Sequence, residues 1–201
     1  MTALPEPQQH PWLAMPDHLL TIEEYSALGE PDSGFSELVE GRLLMSPSPR
    51  PRHNNAMGKL YVQILPQLPP HLTAIQDIDV DLELVPTTDP GFSRRPDLVV
   101  VEREAFAKAD EEDRMLRAAE VVVVIEIVSP GSQRTDHVTK HGEYADAGIP
   151  FYWIVDITDP FSLIACHQAG ELGYQDAPAA TGTFVTSEPF PLKIDLDGLR
   201  S

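Results

Sequence analysis

The chain has 201 residues, 42 % of them hydrophobic, with 32 acidic against 14 basic side chains for a formal charge of −18 and a single cysteine. That length suits one domain with a proper core, and the apolar runs fall well short of a membrane span. The acidity excludes nonspecific coating of a polyanion, and a lone Cys166 excludes an internal disulfide and reads as a small buried hydrophobe.

Residues 1–18, rich in Pro and Gln, read as a loosely ordered tail without the basic and apolar regions of a signal peptide, so the expected location is the cytoplasm. Residues 19–201 are expected to form a single domain. A short helix begins at Thr21, with Glu24 completing a capping box. The segment FSELVEGRLLMS, two apolar-alternating runs about Glu40-Gly41, predicts a hairpin, followed by the stiff loop SPSPRPR.

From His53 to Leu68, the residues Met57, Leu60, Tyr61, Ile64, Leu65 and Leu68 form the stripe of an amphipathic helix, ended by Pro66 and Pro69-Pro70. Ile78, Val80, Leu82 and Leu84 alternate with Asp79, Asp81 and Glu83, the period of a strand with one solvated acidic face. Pro96 stands at the mouth of a short apolar strand, which puts Asp97 at its entrance. The acid-rich stretch 102–120 reads as an exposed helix or loop.

Residues 121–128 predict a strand buried on both faces. Ser129-Pro130-Gly131 turns the chain into a helix from about Gln133 to Ala147, closed by Gly148, and Phe151 to Ile157 predicts another strand, with FSLIACH after it. This order of elements indicates an α/β fold with a mixed sheet flanked by helices.

Glu126 lies within the buried strand. An ionised carboxylate taken out of water costs several kcal/mol unless it is paired or coordinates a metal. Asp97, at the start of one strand, and Glu126, near the end of another, converge if the two strands are neighbours. A cation between them would relieve their repulsion, and Mg²⁺, which prefers oxygen donors, suits two carboxylates. The simplest alternative is a structural ion pair of Glu126 with Arg94 or Lys140.

Pro96-Asp97 followed by Glu126-Ile127-Val128 resembles the PD-(D/E)XK nucleases, with Val128 where that pattern has lysine. A wider resemblance runs from Thr21 to the C-terminus. TIEEYSAL, FSELVEGRLLMSPSPRPRH, RRPDLVVVE, VIEIVSPGS, the spaced Asp136, Lys140 and Tyr144, and AGIPFYWIVD are similar in order and register to the Uma-two family of restriction endonucleases, a branch of that superfamily.

The resemblance implies a restriction-endonuclease-like fold and a metal-dependent endonuclease acting on DNA as a homodimer. In that reading Asp97, Glu126 and the carbonyl of Ile127 hold Mg²⁺ or Mn²⁺, Lys140 supplies the lysine from the helix, and Glu37 adds a supporting acid. Asp136, Lys140 and Tyr144 recur every four residues and share one helical face. The alternative is a non-catalytic member of the same fold that serves as a binding or interaction module.

Arg50, Arg52, Arg94, Arg95 and Arg134 fall in loops beside these elements and form a candidate phosphate-steering set; otherwise a separate DNA-binding or protein partner supplies positive charge. His137 and His141 have the spacing of a zinc pair but lack the glutamate of a metalloprotease helix, which argues against that site. Ser129 has no nucleophile-elbow context, and Tyr144 and Trp153 read as core.

Overall fold

The structure, a computed structural model, describes residues 16–29, 34–46, 49–128 and 132–200. Helix α1 (Ile22–Leu28) starts at the predicted capping box: the Thr21 hydroxyl accepts from the Glu24 N–H at 3.3 Å, and the Glu24 carboxylate accepts from the Thr21 N–H at 2.9 Å. Strands β1 (Phe35–Val39) and β2 (Arg42–Ser46) form the predicted antiparallel hairpin, turning through Glu40 and Gly41, both at positive φ. Glycine is required at 41 for a second reason. A Cβ there would lie 2.8 Å from the Cβ atoms of Leu19 and Pro90.

Helix α2 (Pro51–Ile64) begins at Pro51 rather than His53, because a proline loses nothing in the first turn, and tightens into a 3₁₀ turn at Leu65–Gln67. The strand expected over 78–84 is only partly formed. The extended chain instead makes β3 (Leu72–Gln76), which the alternation pattern did not mark, and then the two-residue β4 (Val80–Asp81). Asp77 and Glu83 adopt φ of 49° and 51°, and the Asp81 carboxylate accepts from the Glu83 N–H at 2.9 Å. This local side-chain bond competes with the ladder and ends it.

Then come β5 (Ser93–Arg94), β6 (Leu98–Glu102), α3 (Arg103–Glu111), β7 (Leu116–Arg117) and β8 (Val121–Val128). The turn predicted at 129–131 lies outside the described residues, as do residues 1–15 of the predicted tail and Pro47-Ser48 of the predicted loop. The next helix is π-helical over Thr135–Lys140 and α-helical in α4 (His141–Asp146), with Gly148 beyond its end at φ 73°. Strands β9 (Phe151–Asp156), β10 (Ser162–Gln168), β11 (Tyr174–Asp176), β12 (Ala180–Thr181), β13 (Thr183–Thr186) and β14 (Leu192–Asp195) complete the chain.

The main sheet is mixed, in the order β11-β10-β9-β8-β6-β3, with β12 also paired to β10; β8 and β9 run parallel and their neighbours antiparallel. A smaller sheet has the order β2-β1-β5-β4-β7, and β13 pairs with β14. Alternation along the central strands divides the core between two faces. Leu98, Val100, Val123, Ile125, Ile127 and Trp153 pack under α2 with Leu60 and Ile64, while Val99, Val101, Val124, Val128 and Ile154 pack with Tyr144 of α4. Each central strand is therefore apolar on both sides, which is why residues 121–128 show no alternation. No helix among the described residues is long and apolar enough to cross a membrane.

Candidate functional site

Strands β6 and β8 are antiparallel neighbours, with Leu98 opposite Ile125. One step further along the register, Asp97 and Glu126 meet at the end of the sheet. Asp97 reaches across to its neighbour: its Oδ2 accepts from the backbone N–H of Ile127 at 2.7 Å. The side chain of Glu126 lies on the same strand face as Val124 and Val128, the face covered by α4, and is buried.

Lys140 answers the question that Glu126 raises. Its Nζ donates to Glu126 Oε1 at 2.7 Å, and it lies 3.4 Å from Glu37 Oε1 and 3.9 Å from Asp136 Oδ1. The Tyr144 hydroxyl donates to the same Glu126 oxygen at 2.8 Å. Asp136, Lys140 and Tyr144 are all buried, so the helical face predicted from their spacing is the face turned to the sheet. Val128, where the strand pattern has lysine in related nucleases, is fully enclosed with Tyr144 and Tyr152.

Glu37 arrives from the hairpin. Its carboxylate accepts from the Arg94 guanidinium at 2.8 Å and from the Arg95 N–H at 3.1 Å. Arg94 also forks onto Glu143 through two bonds of 2.6 and 2.8 Å. At 2 % exposure it is a structural cation at the heart of the network, which removes it from the phosphate-steering set expected from its loop position. Arg95 is committed too, donating to the Asp77 carbonyl at 3.0 Å and stacking over Phe35. Arg50, Arg52 and Arg134 remain exposed.

His53, read from the sequence only as the start of a helix, belongs to the site. Placed in the first turn of α2, its Nε2 lies 3.0 Å from the Ile127 carbonyl oxygen and 3.2 Å from Asp97 Oδ2. One imidazole thus spans both the carboxylate and the carbonyl at this end of the sheet. Its place beside Arg50 and Arg52 was the only available signal.

The electrostatics of the cluster are unbalanced. Asp97, Glu126, Glu37, Asp136 and Glu143, five carboxylates, face two permanent cations, Arg94 and Lys140. Burial pushes Glu126 up to about 8, against the pull of Lys140 and with help from the charges of Asp97 and Asp136. Asp136 is also raised, mainly by burial. Burial acts to raise Glu37 as well, but Lys140, Arg94 and the Arg95 N–H outweigh it and hold that carboxyl below its ordinary range. Lys140 stays charged: burial works against it, and Glu126, Glu37 and Asp136 more than offset that loss.

This arrangement fits a hard divalent cation. The donors at the sheet end, Asp97, Glu126 and the Ile127 carbonyl, are all oxygens, and a divalent ion among them would offset the carboxylate repulsion that helps to raise Glu126.

A family model described as "Putative restriction endonuclease", Uma2, matches residues 22–197. A solved structure described as a putative nuclease belonging to DUF820 from Anabaena variabilis ATCC 29413 is 18 % identical; the alignment covers 90 % of this chain and 97 % of that one, with a TM-score of 0.65. No curated protein matches the chain. The likeness extends to the mixed sheet flanked by helices, and the family match spans nearly all the described residues. The chain therefore belongs to the Uma2 family of restriction-endonuclease-like proteins.

Proposed function

We propose that the protein is a metal-dependent endonuclease that hydrolyses phosphodiester bonds in DNA. The observation that carries this reading is the meeting of Asp97, Glu126 and Lys140 at one sheet end, the lysine 2.7 Å from the glutamate although it comes from a helix. Asp97, Glu126 and the carbonyl of Ile127 would hold Mg²⁺ or Mn²⁺. When bound, such an ion polarises a phosphoryl oxygen and acidifies a coordinated water.

The chain's own residues set the stage for that chemistry. Lys140, kept protonated by three carboxylates, acts as a donor and not as a base: it orients the attacking water and offsets charge building on the phosphate. Tyr144 fixes the Glu126 carboxylate from below, and Glu37 holds Lys140 in place between strand and helix. His53 orients Asp97 and the Ile127 carbonyl together. In this reading the enzyme works in the cytoplasm as a homodimer, two sites serving the two strands of a duplex.

The test is cleavage of supercoiled plasmid and of single-stranded DNA at low salt with Mg²⁺ and then Mn²⁺, comparing wild type with Glu126→Ala and Lys140→Ala. Metal-dependent cutting lost in both variants supports the reading. Cutting that survives both variants removes this site from the reaction.

A further inference from the structure

Beside the Glu126 site, one residue further along the helix from Lys140, begins a second cluster that the nuclease reading does not use. His141 follows Lys140 directly, at the junction where the π-helical turns give way to α4. Its Nε2 lies 2.9 Å from Asp176 Oδ1. Asp176 in β11 is the direct cross-strand partner of Cys166 in β10. One nitrogen, one sulfur and one oxygen donor from these three residues all fall within 4.8 Å of one another.

We propose that His141, Cys166 and Asp176 form a second metal site, for a borderline divalent cation of the zinc type, that pins the Lys140 helix to the β10-β11 ribbon. The donor set is the first argument. Zinc takes nitrogen, sulfur and carboxylate oxygen together, whereas Mg²⁺ rejects thiolate. Ordinary zinc bond lengths in a tetrahedron place ligand atoms about 3.3–3.8 Å apart. The observed His141 to Asp176 distance of 2.9 Å needs only a small opening to reach that spacing.

The second argument is support. Two ligands are locked opposite each other in a ladder, and the third stands on a helix that Lys140 and Tyr144 tie to the sheet. The rings of Tyr152 and Tyr174 meet the His141 imidazole edge-on at 6.2 and 5.3 Å, so its plane is held by packing. Burial is graded along the cluster. Cys166 is enclosed, His141 is 23 % exposed and Asp176 is 53 % exposed, leaving an approach from solvent on the carboxylate side.

The third argument is charge. In the chain alone the His141 imidazole meets the Asp176 carboxyl at 2.9 Å, and the Cys166 thiol is that residue's cross-strand neighbour. A divalent cation takes the place of these contacts: the Cys166 sulfur bonds to the ion as its proton leaves to solvent, and the fourth position falls to water or to His137, one turn earlier on the same helix. His137 is near enough for its charge to act on Asp176. The isolated His137–His141 spacing thus acquires partners that are remote in sequence.

The experiment is titration of the chelator-treated full chain with Co²⁺, reading the thiolate-to-cobalt charge-transfer band in the near ultraviolet. An oxygen-only site at Asp97 and Glu126 cannot produce that band, so the two sites are read separately. Expected are one equivalent of the band, its displacement by Zn²⁺, its retention in Glu126→Ala and its loss in Cys166→Ala. Asp176→Asn, a change at an exposed side chain that leaves the core intact, should weaken Co²⁺ binding and abolish the rise in Tm that Zn²⁺ produces in wild type. No thiolate band in wild type overturns the proposal, as does a band of unchanged affinity in both Asp176→Asn and His141→Ala.

Discussion

Lys140 Nζ donates to Glu126 Oε1 over 2.7 Å, joining a helix to the end of a buried strand. Removing one partner of such a pair leaves the other charge uncompensated in the interior, at a cost of about 3–5 kcal/mol. Lys140→Met should therefore lower the unfolding free energy by about that amount, measured by urea denaturation. The double variant Lys140→Met/Glu126→Gln should lose less than the sum of the single changes, because one of the three buried carboxylates that Lys140 serves is removed with it. Strict additivity would mean that the pair is not coupled.

The pH dependence follows from Glu126. Its folded pKa, near 8, lies above the ordinary carboxyl value of 4.5. The folded chain thus holds a proton that the unfolded chain has released between those values, and stability falls as pH rises through that window. The slope is at most about 1.4 kcal/mol per pH unit. Denaturation of the chelator-treated protein at pH 5, 6.5 and 8 (about one interval per step across the window) should show this decline, and Glu126→Gln should flatten it.

Arg94 offers a third test. It bonds Glu37 and forks onto Glu143 while almost wholly enclosed. Lysine keeps the charge but cannot reproduce the fork. Arg94→Lys should cost about 1.5–3 kcal/mol for each charged hydrogen bond left unmade. A variant as stable as wild type would show that the fork contributes only charge.

His53 is the fourth. Because it touches both Asp97 and the Ile127 carbonyl, His53→Ala should weaken Mn²⁺ binding at the sheet end by about 10–100-fold while leaving the fold intact. Isothermal titration reads the affinity and circular dichroism the fold. Equal affinities in the two proteins would confine His53 to helix packing.

Much of this site was legible in the order of residues. Asp97 announced itself by following Pro96 into an apolar strand, and Glu126 by being a charge inside another. Lys140 needed the register of the following helix, since no local pattern near Val128 marks it. Arg94 was misread because a loop arginine looks solvated until the fold brings Glu37 and Glu143, distant in sequence, around it. The short β3 escaped notice because five residues, LTAIQ, carry too few alternations to stand out, while the longer alternation beyond Asp77 was interrupted by backbone turns. Cys166 read as a solitary hydrophobe for a similar reason: its neighbours His141 and Asp176 are brought to it only by strand pairing and helix docking.

The π-helical turns over Thr135–Lys140 act as a phase adjuster. Each residue advances an α-helix by about 100°, so a single deletion within those turns would swing Lys140, Tyr144 and His141 together around the axis relative to Asp136. The lysine would leave the sheet, and the imidazole would take its place beside Glu126. Chain length in one widened turn thereby decides which of two adjacent side chains, an ammonium or an imidazole, faces the buried carboxylate.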